Sequence, residues 1–109
     1  MLEAVVGSRA AERVLIFMAA RGKGYAKEIA DTFDMNATQI QKQLNRMERD
    51  GLFVSQPVGR ARVYEMNPRF LFTEELNVLL MRVLEKYPSK IREQLLMDRR
   101  RPRRKGKPL

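Results

Sequence analysis

The middle of the chain carries three structural signals in a fixed order, and this order limits the available folds more than any other feature. Apolar residues at helical spacing predict a short helix over 26–33 and a longer helix over 37–50. Residues 34–36 supply the turn between them, with Asn36 as N-cap of the longer helix and Gly51 as its end. Two helices joined by so short a turn make a helix-turn-helix unit.

A β-hairpin is predicted directly after the longer helix. The runs LFVSQ (52–56) and ARVYEM (61–66) are rich in β-branched and aromatic residues and flank the loop PVGR (57–60). A hairpin in this position is the wing of a winged helix. The predicted fold class is therefore mainly α with a small β-hairpin: a winged helix-turn-helix with additional C-terminal helices.

Helices are also predicted on both sides of this unit. The first spans 9–20 after Ser8 as N-cap, and its second half is apolar nearly all round, which indicates burial on more than one side. Tyr25 is predicted to form a strand of one or two residues. After the wing, a helix is predicted to run from an N-cap at Thr73 to about Tyr87.

The helices after the wing carry more apolar surface than a small core needs. The helix that follows Thr73 has an apolar stripe made of Leu76, Leu79, Leu80, Val83, Leu84 and Tyr87. Val78 and Met81 lie off this stripe, and a further helix is predicted over 89–99 after Pro88. The surplus predicts a homodimer built from the terminal helices, and the alternative is a single thicker monomeric core.

Cysteine and histidine are both absent from the 109 residues. Their absence removes disulfides, thiolate nucleophiles, Ser-His-Asp chemistry and most zinc sites, and the acids are scattered along predicted helix surfaces. We therefore expect a protein that is not an enzyme and uses no cofactor. The sequence has no long apolar run, and its first residues do not predict a secretory signal, so a cytoplasmic location without membrane contact is expected.

The net charge of +9 is unevenly distributed. Residues 99–109 carry seven Lys or Arg and no acid, whereas the rest of the chain carries fifteen bases and thirteen acids. The predicted organisation is one domain over 1–98, which binds DNA and dimerises through its terminal helices, and a disordered basic tail over 99–109. A strongly basic chain favours a polyanionic partner, and the tail is expected to act as a nonspecific electrostatic arm on DNA. The alternatives for the tail are an appendage that increases solubility or a contact with acidic lipid.

The segment KEIADTFDMNATQIQKQLNRMERDGLF resembles, without a gap, the winged-helix regulators of the ArsR/MarR type. The resemblance is carried by Ile29-Ala30, by Ile40 and Leu44, and by the acid-Gly-apolar end at 50–52. More narrowly, the start GSR at 7–9, the run IQKQL and the wing GRARVYEMNPRF are similar to regulators associated with nucleotidyltransferases. The resemblance implies a homodimeric transcription regulator. The Cys or His ligands of metal-sensing ArsR-type members are absent.

The polar face of the longer helix is predicted to be the surface that contacts DNA bases. An α-helix fits the major groove, where Gln and Asn can pair with adenine and Arg or Lys with guanine. The residues expected at base edges are Thr38, Gln39, Gln41 and Lys42. Asn45 and Arg46 are expected at phosphate or a flanking base, and the backbone N–H of Asn36 near a phosphate.

Other basic residues are expected to hold the DNA backbone. Arg60 and Arg62 frame the wing tip, and the wing over 57–62 is predicted to lie on the backbone or in the minor groove. Lys23 and Lys27 lie near the start of the short helix, which crosses the backbone in this geometry, and Arg69 follows the wing. Tyr64, by contrast, is expected in the core with Met66, because strand residues alternate between faces.

The first hypothesis is that the protein is a sequence-specific DNA-binding transcription regulator, a repressor that occludes a promoter as a dimer. One alternative is a nonspecific architectural protein that binds DNA or RNA chiefly through its tail. Another is a winged helix whose polar helix docks on a protein.

Overall fold

The computed structural model describes residues 1–96, which form six helices and a three-stranded sheet. In chain order the elements are α1 Glu3–Val6, α2 Arg9–Arg21, β1 Lys23–Gly24, α3 Ala26–Phe33, α4 Ala37–Arg49, β2 Phe53–Val58, β3 Ala61–Met66, α5 Thr73–Leu84 and α6 over 89–96. The predicted end of the last helix near Arg99 and the predicted basic tail over 99–109 lie outside the described residues.

Helix α2 is the centre of the core. Its residues 14–18 are all buried, as their apolar character on every side predicts. The helix contacts α3, α4, α5 and β1, so both the helix-turn-helix and the C-terminal helices pack on it. Ser8 begins α2 as predicted, because its side chain accepts a hydrogen bond from the Ala11 amide at 3.0 Å.

The helix-turn-helix forms where the sequence predicted it. Asn36 caps α4 by accepting hydrogen bonds from the amides of Thr38 (2.8 Å) and Gln39 (3.2 Å). Helix α4 buries the predicted core stripe of Ile40, Leu44 and Met47. After α4, Gly51 adopts a φ of 90°, a left-handed conformation that glycine accepts without a Cβ penalty.

The sheet places the wing beside α4. Its order is β1-β3-β2, with both pairs antiparallel. The hairpin turn is confined to residues 59–60, so Pro57 and Val58 belong to β2 and not to the loop, which is shorter than predicted. Tyr64 is buried at 2% exposure, which confirms its predicted core position.

The predicted strand at Tyr25 is wrong, because the strand lies directly before this residue. The strand is Lys23–Gly24, in which Gly24 lies opposite Tyr64 of β3, and Tyr25 is the N-cap of α3. Gly24 is needed because the strand passes close to α2: a Cβ built there would lie 2.4 Å from Cε1 of the buried Phe17.

Three predictions about α5 are corrected. Phe72, not Thr73, is the N-cap position, because the Thr73 hydroxyl donates backwards to the Asn67 and Phe70 carbonyls. The helix ends at Leu84, not near Tyr87, since residues 85–87 turn with short i to i+3 backbone bonds before Pro88. Leu79, predicted in the core stripe, is 44% exposed.

A buried carboxylate joins the N-terminal segment to the C-terminal helices. Glu12 on α2 is fully buried and accepts hydrogen bonds from the Tyr87 hydroxyl and the Leu2 amide, and Arg13 Nη1 lies 3.2 Å away. Burial alone would raise the pKa of Glu12, but the hydrogen bonds from Tyr87 and Leu2 outweigh it and hold the pKa below its usual value. Burial and the Glu12 carboxylate raise the pKa of Tyr87. The sequence reading identified neither this network nor α1.

Candidate nucleic-acid interface

The polar residues of α4 divide into three sides around the helix. At about 100° per residue, Gln41 and Asn45 turn one way from the buried stripe, and Gln43 and Arg46 turn the other way. Thr38 and Lys42 fall between them, directly opposite the core, and both are exposed. The packing of the neighbouring elements then gives each side a different environment.

The first side of α4 is tied to the wing. Nε2 of Gln41 donates to the Tyr64 hydroxyl at 2.9 Å and to Oδ1 of Asn45 at 2.9 Å. The Tyr64 hydroxyl in turn donates to Oδ1 of Asn45 at 3.2 Å. One buried tyrosine on β3 therefore fixes two polar residues from consecutive turns of the helix. A glutamine amide has two donor hydrogens, so Gln41 uses both within the protein.

Bidentate pairing of Gln41 with adenine needs a free amide donor. In this arrangement that donor becomes available only if the bonds to Tyr64 and Asn45 are exchanged for bonds to the base. Three other predicted residues are free of such bonds: Thr38, Gln39 and Lys42. All three are exposed, and within the described residues their side chains make no hydrogen bond. These three residues are called the crest of α4: Thr38 and Lys42 lie opposite the core, and Gln39 lies next to them on the side of Gln43 and Arg46.

A second tie connects the end of α4 to the wing. The Ser55 hydroxyl donates to Oε2 of Glu48 at 2.6 Å and accepts from Nη1 of Arg62 at 3.1 Å. Ser55 lies on β2 and Arg62 on β3, so the chain of contacts runs from the helix across both wing strands. It holds Arg62 near the tip of the wing while leaving its side chain exposed.

The wing cleft is a surface cleft of about 460 Å³ between the start of α3, α4 and the hairpin. Its lining residues are Tyr25, Ala26, Lys27, Gln41, Val58, Arg60, Ala61 and Arg62. Three of these are cations and none is an acid. Four residues predicted at DNA, Lys27, Gln41, Arg60 and Arg62, thus meet in one place. A cation-lined concavity of this kind attracts a polyanion.

The remaining predicted residues do not join this cleft. Arg46 lies on the opposite side of α4, where its guanidinium donates to Oε1 of Gln43 and to the Val6 carbonyl at 3.5 Å. Lys23 and Arg69 are exposed but do not line the wing cleft. Lys27 makes an exposed ion pair with Asp31 at 3.1 Å, which screens part of its charge.

Sequence reasoning missed three features of this surface. It gave no role to Tyr25, which lies 39% exposed in the wing cleft, or to Ser55. It placed Gln41 at a base edge without seeing its bonds to Tyr64. The alternation that buries Tyr64 was visible in the sequence, but the direction of its hydroxyl depends on how β3 packs on α4.

No protein-family profile matches the chain, and no curated protein sequence matches it. Solved structures are similar in fold. A predicted DNA-binding transcriptional regulator from E. coli superposes with a TM-score of 0.61 at 19% identity, over 79% of this chain and 85% of its own. The AntR antimony-specific transcriptional repressor has a TM-score of 0.56 at 22% identity, over 79% and 78%.

A MarR family transcriptional regulator from Silicibacter pomeroyi has a TM-score of 0.52 at 18% identity, over 88% of this chain and 65% of its own. These similarities confirm the winged helix-turn-helix fold predicted from the sequence and its likeness to ArsR/MarR-type structures. The narrower likeness to nucleotidyltransferase-associated regulators stays a prediction. Within residues 1–96 no helix is long and apolar enough to cross a membrane.

Proposed function

We propose that this protein is a sequence-specific double-stranded DNA-binding transcription regulator, a repressor that acts in the cytoplasm. The observation that carries the proposal is the arrangement of α4: an exposed polar crest, backed by a buried apolar stripe and flanked by a cation-lined cleft against the wing. The similarity to solved transcriptional regulators supports it. The proposed role is binding and not catalysis.

In this proposal the crest of α4 enters the major groove. Thr38, Gln39 and Lys42 offer a hydroxyl, an amide and an ammonium group toward base edges, the groups that distinguish base pairs there. Gln41 and Asn45 have a dual part. They lock the helix to Tyr64 in the free protein, and they can exchange those bonds for bonds to DNA. Asn36 is exposed at the start of α4, where its backbone N–H is proposed to lie near a phosphate.

The wing cleft would hold the DNA backbone beside the major groove. Arg60 is exposed at the hairpin turn, where it can reach a phosphate or a narrow minor groove. Arg62 and Lys27 line the cleft behind it. Phosphate contacts of this type fix the register of the protein on the duplex without specifying sequence.

We propose that the protein binds as a homodimer through α5 and the neighbouring terminal helices. Val78 is 65% exposed and Leu79 44% exposed on α5, more apolar surface than a monomer needs there. Val78 and Met81 border a groove of about 360 Å³ in which Oδ1 of Asn77 is buried without a hydrogen-bond partner in the described part of the chain. A two-fold dimer would present two copies of α4 to half-sites about 34 Å apart.

The test of DNA recognition is selection of bound duplexes from a random pool by the full chain and by a variant that lacks 99–109. Salt at about 150 mM suppresses the nonspecific electrostatic background. We expect both proteins to enrich one short pseudo-palindrome, because the crest of α4 and not the tail would read sequence. The triple variant Thr38→Ala, Gln39→Ala, Lys42→Ala should lose the enrichment and keep the parent's circular dichroism.

The outcomes separate the alternative functions. Binding without enrichment that disappears with the tail would indicate a nonspecific DNA- or RNA-binding protein. No affinity for nucleic acid by the truncated variant, at low and at moderate salt, would indicate a winged helix that docks on a protein. Either outcome would contradict the proposed function.

The homodimer is tested by light scattering after size-exclusion chromatography. Val78→Glu should convert a dimer into a monomer, since it places a charge in the apolar contact. Val58→Glu is the matched control, because Val58 is 53% exposed on the wing and away from α5. A parent that is monomeric at micromolar concentration, or a dimer that Val78→Glu leaves intact, would refute the assignment of α5.

A further inference from the structure

A second groove lies on the side of α4 opposite the wing. It has a volume of about 460 Å³ and runs between the first turn of α2 and the N-terminal half of α4. Its lining residues are Ser8, Arg9, Ala10, Met35, Gln39, Lys42 and Gln43. The lining contains two cations and two amides but no carboxylate. Neither Arg9 nor Gln43 has a part in the function proposed above.

The two cations of this groove are not neutralised by the protein. Within residues 1–96, Arg9 and Lys42 make no ion pair, and their side chains make no hydrogen bond. Other exposed cations of the helix-turn-helix do have a carboxylate beside them, such as Lys27 with Asp31 and Arg49 with Asp50. The groove therefore keeps its full positive charge and is suited to an anion.

Gln43 is oriented so that it adds donors to the groove. Its Oε1 accepts hydrogen bonds from Nε of Arg46 at 3.0 Å and from Nη2 at 2.9 Å. A glutamine amide has one acceptor oxygen and two donor hydrogens, so these bonds occupy the oxygen and leave the NH₂ group. Arg46 itself is steadied by the Val6 carbonyl at 3.5 Å. The groove thus presents a guanidinium, an ammonium and an amide NH₂.

We propose that this groove binds a phosphate group between Arg9 of α2 and Gln43 of α4, and that the phosphate belongs to the DNA backbone. Lys42, which the proposed function assigns to base edges, also lines the groove and adds to its positive charge. The source of the phosphate rests on the proposed function. The backbone would then be held on both sides of α4, by this groove and by the wing cleft. Arg46 is a positioning residue that turns the donor end of Gln43 outward, and it does not contact the phosphate.

The test measures the affinity of the full chain for a short fluorescent duplex as a function of salt. The duplex carries the selected sequence, or a random sequence if none is selected. Each phosphate that a Lys or Arg neutralises contributes about 0.9 to the slope of log affinity against log salt. Arg9→Gln should therefore lower the slope by about one and weaken binding about fivefold at about 0.15 M salt, taking 1 M as reference. The order of preference among sequences should not change.

Lys90→Gln is the matched control, because it removes one positive charge from an exposed position on α6, and light scattering checks that it keeps the parent's oligomeric state. We expect it to keep the parent's slope. Thermal unfolding of each variant checks the fold, and since Arg9 is exposed its replacement should leave the melting temperature unchanged. A slope for Arg9→Gln equal to that of the parent and of Lys90→Gln would overturn the DNA source of the phosphate.

A second measurement distinguishes DNA from a free phosphate-bearing ligand. Inorganic phosphate is titrated into the protein without DNA, and thermal stability is measured. A chloride salt at equal ionic strength, without sulfate, is the reference. One outcome is that phosphate stabilises the parent but not Arg9→Gln, while the salt slope of DNA binding is the same for both proteins. This result would assign the groove to a small phosphorylated ligand. If neither the slope nor the phosphate response depends on Arg9, there is no phosphate site.

The role of Arg46 in positioning Gln43 is tested with Arg46→Ala, Gln43→Leu and the double variant. If Arg46 acts only through Gln43, each single variant should weaken binding of the duplex similarly, and the double variant should weaken it no further; affinity is compared because the Gln43 amide is neutral and does not contribute to the salt slope. Additive losses would show that Arg46 contacts DNA directly. The experiments also separate the two proposals. If one sequence is enriched but the salt slope does not depend on Arg9, only the proposed phosphate groove is refuted. If no sequence is enriched, the proposed function is refuted, and the phosphate titration still tests the groove.

Discussion

Gly24→Ala is expected to destabilise the fold because β1 passes too close to α2 for a Cβ atom. The added carbon would lie 2.4 Å from Cε1 and 3.0 Å from Cδ1 of Phe17, and 3.2 Å from Oε1 of Glu28. Carbon atoms in contact are normally at least about 3.5 Å apart, so the strand or the ring must move by about 1.1 Å. The ring cannot move outward, since Phe17 is fully buried.

Two effects of opposite sign set the size of the loss. Overpacking of a core costs about 1–3 kcal/mol. Replacing glycine by alanine restricts the unfolded chain and returns about 0.4–1 kcal/mol. The net expectation is a loss of about 1–2 kcal/mol in the free energy of unfolding, which corresponds to a fall in melting temperature of about 4–15 °C for a domain of this size.

The assay is urea unfolding followed by circular dichroism, with thermal unfolding as a second measure. Lys23→Ala is the control within the same strand: its side chain is exposed, so the change should stay within about 0.5 kcal/mol. Phe17→Leu in both backgrounds gives a double-mutant cycle, and the smaller side chain should recover at least about 0.5 kcal/mol of the Gly24→Ala loss. A Gly24→Ala variant as stable as the parent, or strictly additive losses, would refute the reasoning.

Three further predictions concern the contacts that hold α4 and α2 in place. Tyr64→Phe removes the hydroxyl that joins Gln41 to the wing, so urea unfolding should show a loss of about 1–2 kcal/mol, and an unchanged free energy would mean that these bonds are not formed in solution. Asn36→Ala removes the cap of α4 and should cost about 1 kcal/mol, while Asn36→Asp should keep most of the stability; equal losses in both variants would contradict a capping role. Because the pKa of Glu12 is lower in the folded state than in the unfolded chain, its carboxylate stabilises the fold above about pH 4.3 and this contribution is lost as the pH falls through the folded pKa. The Glu12→Gln variant should therefore lose less stability than the parent between pH 7 and pH 3, and parallel losses would assign the acid sensitivity to other groups.

The sequence by itself determined the elements whose stability is local. Asn36 and Gly51 set the ends of α4 because a cap bonds to amides two or three residues away and a left-handed φ is a property of one residue. Its buried face followed from the 3.6-residue period at Ile40, Leu44 and Met47. The winged fold could be predicted for the same reason, since its order of helix, turn, helix and hairpin is written in consecutive residues.

Only the tertiary structure decided which side chains meet. Tyr64 reaches Gln41 across 23 positions of the chain, and Glu12 meets Tyr87 across 75. No periodicity or cap encodes such pairs, because they depend on the angles at which whole elements pack on one another. The same limit explains why the sequence predicts a cap at Thr73, whose hydroxyl instead donates back to the Asn67 carbonyl. The sequence could therefore name the polar face of α4, but its division into a crest, a side bonded to the wing and a cationic groove beside Arg9 came from packing against β3 and α2.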